Sequence, residues 1–193
     1  MKNRIVKNTV ITAILFLSTL SIFAQNDFRN ATWGMDAASV KNTETTKIIS
    51  EDQFKVVYDC LLADIKGNII YTFTTKGQLM RSKYLLTPHY FSMNNYIKDY
   101  KLFEELLTAK YGDVVKKSVV NTSNKSNITE NDWSALLVSG QLRIENIWST
   151  PKTTILLTLS KTGDKPTIQI DYISKEFNDK DMRERKAIIL KNI

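Results

Sequence analysis

The sequence has one cysteine, one histidine and six glycines among its 193 residues, and each shortage excludes a class of chemistry. The lone Cys60 cannot close an intramolecular disulfide. Together with His89 it cannot supply the ligand set of a structural zinc or an iron–sulfur site. Six scattered glycines form no loop that could cradle a phosphate or a dinucleotide. The sequence therefore predicts no metal site and no cofactor.

The sequence offers few residues that could form a nucleophile paired with a general base. His89 follows Pro88 in a predicted loop, and Cys60 lies within a predicted strand, where a buried and inert thiol is expected. We therefore predict no catalytic residues and interpret the chain as a non-enzyme. One alternative stays open, a hydrolase that uses two carboxylates for general acid and base work. The candidates for that role are Asp59 with Asp64, and Glu104 or Glu105 with Glu145.

The N-terminus has the pattern of an export signal. Lys2, Arg4 and Lys7 precede an uncharged run over residues 10–23, which ends at Ala24. This pattern predicts a secretory signal peptide over residues 1–24 and a single mature domain over residues 25–193. An uncleaved anchor is the alternative, although an apolar core of about 14 residues is short for a membrane span. We expect a periplasmic or secreted protein that meets the membrane only through its transient signal peptide.

The basic charge of the whole chain comes partly from that segment. The formal net charge is +7, from 27 Lys and Arg against 20 Asp and Glu. Removing the three basic residues of the signal peptide from the 27 leaves 24, a balance of +4 against the same 20 acidic residues. The remaining positive residues are dispersed, with Lys116 and Lys117 the only adjacent pair before the tail. The sequence thus predicts a solvated surface and no nucleic-acid partner.

One long helix is predicted over residues 94–112. Its apolar residues recur at helical spacing, and Gly112 supplies a left-handed stop. Burying such a stripe contributes on the order of 10 to 20 kcal/mol before opposing terms, so the helix must lie on an apolar surface. The stripe comprises Tyr96, Tyr100, Phe103, Leu107 and Tyr111, widened by Ile97 and Leu106.

Strand patterns lie on both sides of this helix and predict an α+β fold. Three strands are expected before it, at residues 53–63, 69–75 and 79–86, with a turn at 64–68 and a short preceding helix capped by Asp36. Three follow it, at residues 142–149, 154–160 and 167–174, after a short strand at 113–120 and a short helix at 133–138. We interpret the chain as two tandem α-βββ repeats, about residues 27–86 and 92–174, with antiparallel meanders packed against helices. A charged C-terminal helix is expected within the tail, residues 175–193.

The aromatic residues give the only positive indication of function. Three tryptophans and eight tyrosines are many large amphipathic side chains for this length. We expect Tyr58, Tyr71, Tyr84 and Tyr172 to line a free sheet face as a binding surface. The prediction is an exported cell-envelope protein that acts as a non-catalytic binding module, with an envelope protein or a small ligand as partner. A carrier of a small apolar ligand, held between sheet and helix, is the further alternative.

The opening Phe28-Arg-x-x-x-Trp33-Gly34-Met35, followed by a capped helix ending in Val40, resembles the start of many small exported bacterial proteins of unknown function. The tandem helix-plus-meander plan is similar to the β-lactamase inhibitor protein fold and to small lipoproteins of outer-membrane β-barrel assembly. The resemblance implies binding of other proteins through an exposed sheet face, without catalytic residues. This chain lacks the lipidated cysteine of those lipoproteins and the disulfides of the inhibitor.

Overall fold

The structure, a computed structural model, describes residues 26–192, so the predicted signal peptide lies outside the described residues. Eight strands form one antiparallel sheet, and four α-helices accompany it in the described part of the chain. The strands are β1 Ile48–Asp52, β2 Lys55–Leu62, β3 Ile65–Phe73, β4 Leu79–Leu86, β5 Lys116–Asn121, β6 Leu142–Ser149, β7 Thr153–Thr162 and β8 Lys165–Ser174. The helices are α1 Ala37–Thr43, α2 Met93–Tyr111, α3 Trp133–Val138 and α4 Lys175–Asn192.

The strand order across the sheet is β1-β2-β3-β4-β8-β7-β6-β5. Each half is an up-and-down meander, and the halves join where β4 pairs with β8. The α+β prediction is confirmed. The short strand expected at 113–120 is β5, whereas β1 was not predicted, and these two edge strands extend each three-stranded meander to four strands. β1 was missed because it is exposed along its whole length and so lacks the alternation of a half-buried strand.

The predicted helical stripe is largely confirmed in α2. Tyr96, Tyr100, Phe103 and Leu107 are buried, and the helix packs over β6, β7 and β8 beside α3. Leu106 is the exception, because its side chain is 53% exposed. It lies one residue from Leu107, about 100° around the helix, beyond the surface that contacts the sheet. Because its main contacts with the sheet are to β6, β7 and β8, the long helix lies over the second half of the sheet.

The turn between β2 and β3 is tighter than predicted. Ala63 and Asp64 adopt left-handed conformations, with φ of 49° and 62°, and β3 already begins at Ile65. The expected turn at 64–68 is therefore wrong, since these two residues alone reverse the chain. Gly67 lies inside β3 against β4, where an added Cβ would sit 2.4 Å from the Leu85 carbonyl oxygen. Glycine is required there by close approach of the backbones.

The segments at the two ends of the described chain pack against each other. The Asp36 carboxylate caps α1 by accepting from the Ser39 N–H at 2.7 Å, as predicted, and Val40 is fully buried. At the other end, the Phe177 ring of α4 lies against Gly34. The buried Asp181 accepts from the Thr75 N–H at 3.1 Å. The opening segment and the C-terminal helix are thus fixed to the sheet by specific contacts.

Candidate functional site

The four tyrosines expected on a free sheet face lie on the helix-covered face instead. Tyr58, Tyr71 and Tyr172 are buried and Tyr84 is half-buried. The strand register places all four on the same side of the sheet, so the predicted grouping is right and its exposure is wrong. The period of two in a strand determines which residues share a face, but it does not say which face the helices cover.

Part of this covered face stays accessible as a cleft of about 880 Å³ between the C-terminal end of α2 and residues 26–29. Its sheet residues are Tyr84 of β4, Ile155 of β7 and Tyr172 of β8. Tyr111 closes one side from α2. The β6–β7 turn over residues 149–153 forms the opposite side. A volume of this order is within the usual range for small-molecule sites.

The floor of the cleft is an aromatic cluster centred on Phe28. Its ring centroid lies 4.9 Å from that of Tyr172, 5.1 Å from that of Tyr84 and 5.6 Å from that of Tyr71, all in tilted or edge-on arrangements. Tyr111 adds an edge contact to Tyr172 at 6.2 Å. Such geometries are the favourable ones for aromatic pairs. The cluster therefore makes a rigid apolar base with hydroxyl groups at its edge.

One wall of the cleft is held by a buried ionic network. The Arg29 Nε and Nη2 groups donate to the Glu44 carboxylate at 2.8 and 3.1 Å, and Nη1 donates to the Tyr84 hydroxyl at 3.4 Å. The Glu44 side chain is fully buried and also accepts from the Tyr71 hydroxyl. Burial alone lowers the pKa of Arg29, but these hydrogen bonds outweigh it and raise that pKa. Arg29 has a left-handed φ of 51°, a conformation that surrounding contacts must impose on a non-glycine residue.

The opposite wall is the turn between β6 and β7. The Thr150 N–H donates to the Thr153 carbonyl at 2.8 Å, and the Thr150 hydroxyl accepts from the Thr153 N–H at 3.0 Å. Trp33 Nε1 donates to the Thr153 hydroxyl at 2.9 Å. The Lys175 ammonium donates to the Ser149 hydroxyl and the Thr150 carbonyl at 2.8 and 2.7 Å. The turn is thus anchored from the N-terminal segment and from α4, which favours a preorganised cleft.

The charges around the cleft are mostly positive and partly unpaired. Lys110 and Lys152 are exposed at its edge, and neither makes an ion pair within residues 26–192. The Lys110 ammonium lies 5.0 Å from the ring centroid of Tyr111. The acidic residue of the lining, Asp27, accepts from the Trp33 N–H at 2.8 Å and keeps its negative charge. The two lysines against this one carboxylate leave an excess of positive charge, which favours an anionic group.

The cleft phenols are hydrogen-bonding groups. Burial raises the pKa of Tyr84, and burial with the neighbouring Tyr111 hydroxyl raises the pKa of Tyr172. Both hydroxyls therefore keep their protons at neutral pH. They can donate to and accept from a polar ligand atom but supply no phenolate nucleophile.

The two residues most often linked to catalysis are absent from the cleft lining and form no hydrogen bond with each other in the described chain. His89 is exposed, and its Nδ1 lies 2.8 Å from the Lys165 ammonium. Cys60 is half-buried on β2, opposite Gly67. Burial raises the pKa of the Cys60 thiol, which disfavours the reactive thiolate at neutral pH. Neither residue lines the cleft.

Two of the candidate carboxylates pair with basic residues, and the others are exposed. Glu104 pairs with Lys117, and Glu145 accepts from Arg143 Nε at 2.8 Å. Asp59 and Asp64 are both exposed, Asp59 within β2 and Asp64 in the turn that follows it. Glu105 is exposed on α2, and none of these five residues lines the aromatic cleft. Over residues 26–192, no group of three or more His, Cys, Asp or Glu side chains is arranged to hold a metal ion.

No helix among the described residues combines the length and apolar character that a membrane crossing requires. Comparison of the chain with known protein families, with curated proteins and with solved structures finds no match.

Sequence reasoning missed most of the cleft residues. Tyr84 and Tyr172 were expected on a binding face, and Arg29 was noted only as part of the opening motif, whereas Lys110 and Lys152 were given no role. Lys110 directly precedes Tyr111, the last residue of the predicted stripe, so a cation beside an aromatic residue at a helix end was the available signal. For Lys152 the sequence carries no such signal, because it joins the site through contacts distant along the chain.

Proposed function

We propose that this protein is a non-catalytic binding protein whose cleft holds a small organic ligand with an aromatic or other apolar body and an anionic group. One observation carries the proposal, namely an aromatic floor bordered by two lysines without an ion pair in the described chain. Tyr84 and Tyr172 of this floor belong to the sheet, so the proposal keeps a binding module built on a sheet face but uses the helix-covered face instead of the free one. A protein partner would use the same cleft through a carboxylate-bearing side chain or terminus.

The chemistry of the lining separates the two parts of such a ligand. Tyr84 and Tyr111, the half-buried rings of the lining, offer their faces and edges to an apolar body, which displaces water from them at a gain of roughly 25 cal/mol per Å². Phe28 and Tyr172 are 3% and 7% exposed and support these rings from below. Lys110 and Lys152 would meet the anionic group at the rim, where solvent reduces each pairing to about 0–1 kcal/mol. Selectivity for the charge is therefore expected to be modest, and the aromatic body supplies most of the affinity.

Isothermal titration calorimetry with two matched probes tests the proposal. Indole-3-acetate carries an aromatic body and a carboxylate, whereas indole-3-acetamide has the same shape without the charge. We expect both to bind, the carboxylate more tightly, because the free lysines reward only the anion. Binding of neither probe, or equal affinity for both, contradicts the proposal.

Variants assign the site within the same experiment. Lys110→Gln and Lys152→Gln should each reduce the preference for the carboxylate while leaving the amide affinity unchanged. Lys98→Gln is the matched control, because Lys98 is an exposed lysine on the same helix, α2, outside the cleft lining. An equal loss in the control would show a general electrostatic effect and would count against the cleft.

We also propose that the protein acts outside the cytoplasm, in the periplasm or beyond, because the predicted signal peptide covers residues 1–24. The partner would then be a ligand or a protein of the cell envelope. Mass spectrometry of the protein from a bacterial host tests this directly. The expected N-terminal residue is Gln25, and protein that retains Met1 would contradict export with cleavage.

We further propose that the two halves of the sheet are tandem repeats, each a helix followed by an antiparallel meander. The mirrored strand order around the β4–β8 pairing supports this, as does the placement of α1 before the first meander and α2 before the second. The same plan underlies the proposed kinship with the β-lactamase inhibitor and assembly-lipoprotein folds. Superposition of experimentally determined halves is the test. Strands that fail to superpose in order would refute duplication.

A further inference from the structure

The two edges of the sheet are complementary to each other. β1 is one edge and β5 is the other, and both are exposed strands whose outer backbone groups have no neighbouring strand in residues 26–192. An edge of this kind is a template for pairing with another strand. Because all eight strands alternate in direction, β1 and β5 run in opposite directions. A second copy placed beside the first, in the same orientation, would therefore bring β5 antiparallel to β1.

The residues match in one register of that pairing. Antiparallel alignment of Ile48–Asp52 with residues 116–120 places Ile48 opposite Val120, Ile49 opposite Val119, Ser50 opposite Ser118, Glu51 opposite Lys117 and Asp52 opposite Lys116. The apolar residues meet apolar residues, and both acidic residues meet basic ones. The exposed apolar side chains involved are 38% to 49% accessible. Cross-strand pairs of these kinds each stabilise a sheet.

Over Ser50 to Asp52 the same register keeps the two faces of the sheet continuous. A β-bulge between Ile48 and Ser50 places Ile48 opposite Tyr58, on the helix-covered face, so the Ile48 and Val120 side chains lie on different faces. Glu51 pairs with the buried Val56, and Lys117 pairs with the buried Asn146, so both belong to the helix-covered face. Asp52 pairs with Lys55, and Lys116 pairs with Ile147, so both belong to the opposite face. A shift by one residue would place the faces out of phase. A shift by two residues would set Ile49 opposite Lys117 or Glu51 opposite Val119.

We propose that this protein assembles with itself head to tail, β1 of one copy pairing with β5 of the next, so that the eight-stranded sheet continues from copy to copy. The pairing would also join two ion pairs that each copy already contains. Glu51 contacts the Lys41 ammonium at 2.7 Å, and Lys117 contacts Glu104. Across the junction these four side chains form a sequence of alternating charge. On the opposite face, Lys116 makes no ion pair in the described chain and would meet Asp52.

This arrangement is heterologous, since each copy offers a different edge to each neighbour. Such contacts close into a ring or continue as a filament, according to the twist between copies. Sedimentation velocity of the purified protein from micromolar to millimolar concentration is the first test. We expect oligomers larger than dimers at high concentration. A monomer throughout, or a dimer that grows no further, refutes the proposal.

Charge exchange then tests the register. Asp52→Lys and Lys116→Asp should each shift assembly to at least tenfold higher concentration, because each places like charges opposite each other. The double variant restores the opposite charges and should recover most of the assembly. Recovery distinguishes a true pairing from general loss of solubility or folding. Failure of the double variant to recover, with a native circular dichroism spectrum, overturns the register.

Removing one backbone N–H tests the strand pairing without changing any charge. Thr122 of the loop after β5 donates to the Gln141 carbonyl, and this register directs the N–H of Val119 away from β6. Val119→Pro should therefore abolish assembly while keeping the β5–β6 pairing, whereas Val119→Thr, which keeps the N–H, should not. Equal assembly of the two variants contradicts strand pairing at this edge.

Disulfide trapping identifies the partners. In a Cys60→Ser background, copies carrying Ile49→Cys mixed with copies carrying Val119→Cys should form mixed dimers on oxidation. Either variant alone should form few disulfide-linked dimers, because its single cysteine has no cysteine opposite it. Efficient dimers of one variant alone would show β1 on β1 or β5 on β5, and would refute the head-to-tail arrangement.

Discussion

Replacing Glu44 should both destabilise the fold and open the cleft. Its fully buried carboxylate accepts two hydrogen bonds from Arg29 and one from Tyr71, across segments distant along the chain. Glu44→Ala leaves the Tyr71 hydroxyl buried without its acceptor, at a cost of about 1–3 kcal/mol. Breaking a buried ion pair costs about 3–5 kcal/mol, but Arg29 is 33% exposed and regains some solvation. We expect a net loss of about 3 kcal/mol in the free energy of unfolding.

Urea denaturation followed by circular dichroism measures this loss, and the midpoint of thermal unfolding should fall by about 6–12 °C. The matched control is Glu130→Ala, which removes an exposed pair with Lys101 of 2.5 Å and should cost less than about 1 kcal/mol. Tyr71→Phe should cost about 1 kcal/mol, since the carboxylate keeps Arg29. If Glu44→Ala lowers the free energy of unfolding no more than the control does, burial does not make this network important for stability. The variant should also weaken indole-3-acetate binding.

Three further predictions concern single residues. Gly67→Ala should lower the free energy of unfolding by more than about 2 kcal/mol, because the new Cβ meets backbone atoms, whereas Gly77→Ala, with φ of 74° and open space around it, should cost about 1–2 kcal/mol in a denaturation experiment. The Cys60 thiol should react slowly with a disulfide reagent at neutral pH and rapidly once urea unfolds the chain, since burial raises its pKa; equal rates would contradict this. A hydrogen bond to Asp99 at 2.6 Å raises the pKa of Tyr90 to about 12, from 10.0 for a free phenol. The folded chain therefore keeps this proton longer than the unfolded chain, so the stabilisation is complete below pH 10 and is lost as the pH rises toward 12. In an ultraviolet titration, Asp99→Asn should move one phenol to lower pH.

The elements with strong periodicity could be predicted, and their placement could not. The helix at 94–112 was correct to within a residue, because burial of one side imposes a visible period on it. The strand at 79–86 was also correct, although its burial does not alternate, because the Gly77 turn and the Thr87-Pro88 break mark its two ends. The edge strands β1 and β5 carry no such period, since neither has a buried face. Leu106 was assigned to the apolar stripe because its spacing fits a helix, although its side chain lies outside the contact with the sheet.

The candidate site depended even more on long-range contacts. Phe28 meets Tyr172, and Trp33 meets Thr153, across more than half of the chain. No local pattern encodes these distances, because they follow from the pairing of β4 with β8 and from the path of the N-terminal segment over the sheet. The predicted tyrosine group was therefore real, while its exposure was decided by which face α2 and the N-terminal segment cover.

The sequence by itself determined the α+β class, the long helix and most of the strands. These follow from the geometry of single elements, in which side chains repeat every 3.6 or every 2 residues. Only the tertiary structure decided the strand order, the covered face and the cleft with its unpaired lysines. These depend on contacts between residues far apart in the chain, which packing of the whole sheet selects and no local period records.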